Sequence, residues 1–439
     1  MKLIFILVIF VLLQNCSFDK KSGIWENEDQ VTSKKEKKFF EGFIEFNSDQ
    51  KIFNKIIKSN QKIKLYSEPK ILSKLNDHSL NKINTSNFSY GELNYQIFRS
   101  KKISKNKINK KIFFDDNSLI LSDVKGNIII YSIKEKKILR KFNFYKKTNK
   151  SIIKNLNLVI KNGIIYVSDN LGYIYAYNYK KNKVFWAHRH KSPYRSNLKI
   201  YKNKIIASDQ NNNLFFLDIN TGKKIKKIPT EQVNFNNKFI NNIIVNEEKI
   251  FFLNSYGSLY SFDEKSNINW FVNLNQKFDE SPSNIFFSNE IITFEKNIFI
   301  LTNNHIFILD KLNGSLIFKK NLGSNLSPLI FKNYVFLINN DTLIIGFSIK
   351  EKKIIYSHNF IDEYKKDSLL KKISYKIDHM NIVNNSIFLF SNKPYILKIN
   401  FSGELLKVFK VKNNIYSNPI FINNSIFYLD DKNKLVILN

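Results

Sequence analysis

At 439 residues, with 43% hydrophobic and 15% aromatic side chains, the chain can bury a large core, which excludes a disordered polypeptide. Its formal net charge of +33 points towards an anionic partner. The lysines, however, are spread among Asn and Ile along the whole chain, as an AT-rich genome would impose, with no recognition helix or RNA-binding signature, so no nucleic-acid role is expected.

The N-terminus reads "MKLIFILVIFVLLQNC": one Lys, an apolar run from Leu3 to Leu13, then Cys16, the only cysteine. The run is short for a bilayer span and has the shape of a signal-peptide core, so residues 1–15 are expected to be a signal peptide. A lone Cys directly after such a segment resembles a bacterial lipoprotein site, which implies cleavage before Cys16 and lipidation of its sulfur; a short membrane anchor is the alternative. Asn15 departs from the small residue usual at that position. By the same resemblance Ser17 permits transfer to the outer membrane, leaving the chain lipid-anchored on the periplasmic face. With no second cysteine the fold must hold by its core alone. Residues 16–90 are read as a tether, carrying the charge run "KKEKK" at 34–38.

From residue 91 onward one phrase recurs. "SLILSDVKGNIIIYSIKEKKILRKF" from 118, "GIIYVSDNLGYIYAYNYKKNKVFWAH" from 163, "KIIASDQNNNLFFLDINTGKKIKKI" from 204 and "KIFFLNSYGSLYSFDEKSNINWFV" from 249 are followed by copies starting at 297, 334, 386 and 425. Each alternates apolar residues with period two, breaks at a polar turn, resumes, breaks again and ends in a third strand. Short strands introduced by Pro, as in "SPLIF" at 327–331 and "NPIF" at 418–421, precede several copies. Four-stranded antiparallel units of this length are propeller blades, because one such sheet cannot bury both faces alone. Gly126, Gly172 and Gly257 are expected to supply positive-φ turn positions.

The predicted fold is all-β, an eight-bladed propeller over residues 91–439; seven blades is the rival count, since the copies near 300 and 340 lie close together. The last copy ends after its third strand, and "NYQIFRSKKIS" at 94–104 is expected to supply the missing fourth and close the ring.

"LFFLDINTGKKI", "IFILDKLNGSLIF", "YIYAYNYKKNKVFW" and "SLYSFDEKSNINW" resemble the quinoprotein-type (PQQ-like) propeller repeat, which implies that Trp186 and Trp270 dock between neighbouring blades as core. Two functional classes use that repeat. Quinone-dependent dehydrogenases bind their cofactor and Ca²⁺ in the central funnel; this chain lacks the paired cysteines of the alcohol enzymes and an evident acidic cluster, and no cofactor or metal is expected. The lipoprotein start and the eight repeats are similar to the BamB family of the outer-membrane β-barrel assembly machinery. That resemblance implies a non-catalytic scaffold binding the periplasmic POTRA-type domains of the central assembly protein. It places the contact on the interblade segment "SPYRSNLKIY" (192–201), with Arg195 as candidate, flanked by Tyr194 and Ser196. An adjoining surface falls at 230–242, with Phe239, Asn241 and Asn242. A quinone dehydrogenase and a cell-wall or polysaccharide binder are the alternatives.

Catalytic signatures are poor. "NTGKK" at 220–224 resembles the end of a phosphate loop, but Leu217 stands where that motif needs Gly. His188 and His190 could share a metal from one strand face, without a third ligand. No Gly-x-Ser-x-Gly elbow occurs. Asp218, Asp263 and Asp310 occupy one repeat position and are read as turn caps.

Overall fold

The computed structural model describes residues 53–58, 62–71, 82–146, 149–232, 241–275, 285–340, 342–359 and 376–439. Cys16 and Phe239 lie outside them. The described part belongs to a compact unit, Asp49–Asn439.

The period-two runs become eight antiparallel sheets with four meandering strands each, one of them joined by an extra N-terminal strand. The blades span 113–143, 156–189, 199–228, 242–273, 292–320, 329–359 and 377–410, and the eighth combines 420–438 with 96–99. Eight, not seven, is the count. Ring closure follows the expectation: Gln96–Arg99 pairs antiparallel with Leu435–Leu438 as the outermost strand of the last blade. Arg99 fastens it through Nη2 to the buried Asp430 carboxylate at 2.6 Å.

Both central strands of a blade are almost wholly buried, as in Ser118–Ser122 and Asn127–Ser132, because each blade face packs on a neighbour. The apolar core is accordingly a ring of interblade layers. Ile120, Ile128 and Ile130 of the first blade meet Val167, Tyr175 and Tyr177 of the second; Phe427 and Ile437 of the last meet Leu121 and Ile129 of the first. Such nearest-neighbour packing makes stability a sum over interfaces.

Aromatics on the outer strands seal these layers. Trp186 lies over Gly222 of the next blade, where an added Cβ would stand 2.4 Å from its Cε3, and Trp270 lies over Gly314 in the same way at 2.5 Å. Both glycines have positive φ, 70° and 75°, so the turn and the indole each require Gly there. Tyr356 takes the equivalent place over Gly403. The expected positive φ at Gly126, Gly172 and Gly257 is present, and Asn212, Thr342 and Asn433 adopt it in other copies.

One face of the ring carries the loops joining second to third strands together with the interblade connections; the other carries the remaining turns. On the first face a buried side chain caps the loop in every blade. Asp123 Oδ1 accepts from the Lys125 and Asn127 amides, and Asp169, Asp209, Asn254, Thr302, Asn339, Ser391 and Asp430 act alike. On the second face Asp218, Asp263 and Asp310 cap hairpins as expected, accepting from the amides of Thr221, Asn267 and Leu312.

Of the tether expected over 16–90, the described residues 53–58, 62–71 and 82–90 are part of the body. Ile57 exchanges both backbone hydrogen bonds with Ser357 on the outer strand of the sixth blade, at 2.8 and 2.9 Å. The amides of Ile63 and Ser67 bond to Ser402 and Asn385 on the turn face of the seventh blade. Asn87–Phe88 then pairs in parallel with Ile382 and Val383 of that blade's innermost strand. The boundary moves because Ile63, Leu65 and Phe88 have apolar layers to enter, which isolated apolar residues in a charged stretch do not reveal.

Candidate functional site

The interblade segment from His190 to Leu198 joins the second blade to the third. The amide of Tyr194 donates to Asp169 O at 3.0 Å and that of Arg195 to Ser208 O at 2.9 Å, while Asn241 N donates to Arg195 O at 2.6 Å. The segment is thereby stitched into three consecutive blades. Tyr194 is buried, its ring against His190 and Phe215 at centroid distances of 5.7 and 6.3 Å, and burial raises its phenol pKa. Ser196 is wholly buried and its Oγ accepts from Ser208 N at 2.7 Å. Asn241 Nδ2 donates to Ser208 Oγ and Asn212 Oδ1 at 2.9 and 3.0 Å. Asn242 Nδ2 reaches across to Ser288 Oγ and Asn289 O of the next interblade segment.

The structure therefore brings Tyr194, Arg195, Ser196 and Asn241 together, but turns three of them inward as braces. Arg195 is left half-buried, its Nε without a hydrogen-bond partner among the described residues, and desolvation lowers its guanidinium pKa. The residue itself is only half-buried, so its guanidinium can meet a carbonyl or carboxylate supplied by a partner, while the Nε stays shielded. In the adjoining segment Glu231 also faces inward, accepting from Ser258 Oγ and Tyr260 Oη, both at 2.8 Å.

Beyond Asn241 and Asn242, sequence reasoning missed the asparagines that join blades. Asn197 mimics a peptide, its amide exchanging two bonds of 2.8 Å with Ile243 of the next blade. Asn246 bonds to Thr293, and Asn289 to Ser324 O, in the same blade-to-blade sense. Asn is common throughout this chain, so no sequence signal separates these positions from the rest.

The central channel holds the chain's own residues. The 3₁₀ turn Ile83–Thr85 packs on the innermost strands of the sixth and seventh blades. Ile83 also touches the layers on both sides of the eighth blade. Asn84 lines a small cavity with Asn197, Lys199, Ile243 and Glu290 from the opposite half of the ring. Across the channel Lys111 pairs with Glu290 at 3.2 Å, and Lys111, then Lys199, hold that carboxyl below its usual range. Lys110 approaches Asp378 at 3.6 Å. Beside them, burial first and Lys110 second lower His379 from 6.5 to about 4.

His188 and His190 are not a metal pair: His188 Nε2 lies 2.7 Å from Thr221 O, and His190 Nε2 lies 3.4 Å from Asp209 Oδ2. Among the described residues no group of three or more His, Cys, Asp and Glu is placed to hold a metal ion. "NTGKK" is the hairpin turn between Leu214–Asp218 and Lys224–Ile228. No described helix is long and apolar enough to cross a membrane.

The fold is thus an eight-bladed β-propeller of four-stranded antiparallel blades. Among solved structures it is similar to BamB from Moraxella catarrhalis, with a TM-score of 0.60 at 13% identity, covering 79% of this chain and 100% of that one. It is also similar to the quinohemoprotein alcohol dehydrogenase of Comamonas testosteroni, with a TM-score of 0.60 at 10% identity over 82% and 79% of the two chains. The computationally designed protein Ika8 superposes with a TM-score of 0.57 at 12% identity, over 78% and 99%. No protein-family profile and no curated protein sequence matches the chain.

Proposed function

We propose that this protein is a lipid-anchored, non-catalytic scaffold in outer-membrane β-barrel assembly, binding periplasmic domains of the central assembly protein through the loop around Arg195. The carrying observation is the place of residues 83–88, which lie in the central channel against the innermost strands of the sixth and seventh blades; since the quinone-dependent class uses that channel for its cofactor, this supports recognition through loops and walls. Likeness over the whole length of BamB and the lipoprotein-like start at Cys16 support the choice of partner.

The mechanism is passive. Interblade bonds hold the 190–198 loop rigid before any partner arrives, so little conformational entropy is lost on docking. Arg195 then offers a planar donor set from a partly dehydrated site.

In-cell crosslinking from position 191, beside Arg195 on the same segment, with identification of the captured protein, tests this reading. Capture of a barrel-assembly subunit, abolished by Arg195→Glu introduced beside the crosslinker at position 191, is the expected result. Absence of capture from a folded, anchored protein would remove the scaffold role.

A further inference from the structure

We propose that the outer wall of the first three blades is a docking surface for an anionic lipid membrane. The outermost strands of the eight blades read KILRKFN, KVFWAHR, KIKKI, INWFVN, LIFKK, KIIYSHN, LLKVFK and QIFR. None contains Asp or Glu, and all but INWFVN contain Lys or Arg. The innermost strands are balanced: Lys161 and Lys199 are matched by Asp115 and Asp378.

A genome's base composition enriches Lys everywhere; it does not clear carboxylates from one wall while leaving them in the channel and the turns. The acids of the first three blades lie off these strands: Asp123, Asp169 and Asp209 are buried in loops, Asp115 and Asp116 stand at a turn and Asp218 in a hairpin, and Glu135, in the turn before KILRKFN, pairs with Lys137 at that strand's first residue.

The basic charge is densest where KILRKFN, KVFWAHR and KIKKI stand side by side. Lys141, Lys224 and Lys227 are exposed there. Apolar side chains stand between the cations: Leu139 is 42% exposed, Phe185 43% and Ile225 54%. Cations that attract lipid phosphates, interleaved with apolar groups that sit at headgroup depth, define an interfacial surface rather than a nucleic-acid groove, which would call for stacking platforms along a track. The membrane is chosen by charge complementarity, and a lipid on Cys16 would keep the wall within reach of one. This inference does not depend on the protein partner at Arg195.

The test uses the compact unit Asp49–Asn439, which holds every blade and the closing strand but no acyl group. Its cosedimentation is measured with phosphatidylcholine vesicles, with and without phosphatidylglycerol. Binding only to the anionic vesicles, reversed by salt, is expected. The triple variant Lys141→Glu, Lys224→Glu, Lys227→Glu should lose ~100-fold or more in partitioning. An equally charged control on other blades, Lys350→Glu, Lys407→Glu, Lys410→Glu, should lose far less. Phe185→Ser with Ile225→Ser keeps the charge and should weaken vesicle binding while leaving retention of an oligonucleotide unchanged. Equal losses in the two charge variants, or no preference for anionic vesicles, would overturn the proposal.

Discussion

Trp186 and Trp270 look equivalent in sequence and occupy equivalent places, yet they differ in one bond. Trp186 Nε1 donates to Ile219 O at 3.1 Å, whereas Trp270 Nε1 is buried without a partner among the described residues. Replacement by Phe removes similar ring area at both sites but breaks a hydrogen bond at only one. Trp186→Phe should therefore cost about 1 kcal/mol more than Trp270→Phe, read from urea midpoints at unchanged slope. At the same scale the partner-loop expectation divides. Tyr194, Ser196, Asn241 and Asn242 brace neighbouring blades, and Arg195, half-buried, is the one among the described candidates left with an unfilled donor, its buried Nε. A motif marks where a loop is, but the direction of each side chain depends on which neighbour its backbone pairs with.

The closing strand is the element on which the ring depends, since a propeller open at one interface exposes both faces of that layer. Its ion pair has one wholly buried partner, Asp430, while Arg99 is 28% exposed. Arg99→Met leaves that carboxylate with only the Lys432 and Lys434 amides and should cost about 3 kcal/mol. Lys353→Met breaks an exposed pair with Glu351 and should cost under about 1 kcal/mol. Thermal melting compares the two, and hydrogen exchange should show strand Leu435–Leu438 loosened in the first variant only. An equal effect of both would mean that strand pairing, not the ion pair, fastens the ring.

For the whole molecule the channel sets a dependence on pH. His379 lies on the innermost strand of the seventh blade with Lys110 and Asp378 beside it, and is held neutral, lowered from 6.5 to about 4. Within that window the unfolded chain takes up a proton that the folded one does not. Stability contributed by this group therefore falls as the pH drops from about 6.5 towards about 4. His379→Phe should flatten the difference in urea midpoint between neutral pH and about pH 5, relative to the parent chain. An unchanged difference would assign the acid sensitivity to other groups.

By itself the sequence determined the all-β class, the eight units, the caps at Asp218, Asp263 and Asp310, the indole docking and the strand that closes the ring. All of these rest on local periodicity and on turns whose geometry demands particular residues. Only the tertiary structure decided that residues 53–58, 62–71 and 82–88 belong to the body, that Asn197 and Asn242 tie blades together, and that the eight outer strands, which carry no carboxylate, form one wall. Each of these depends on which strands become neighbours, or on which strand of a blade faces solvent. Those relations exist only once the ring is closed, and a repeat read along the chain assigns every copy the same surroundings.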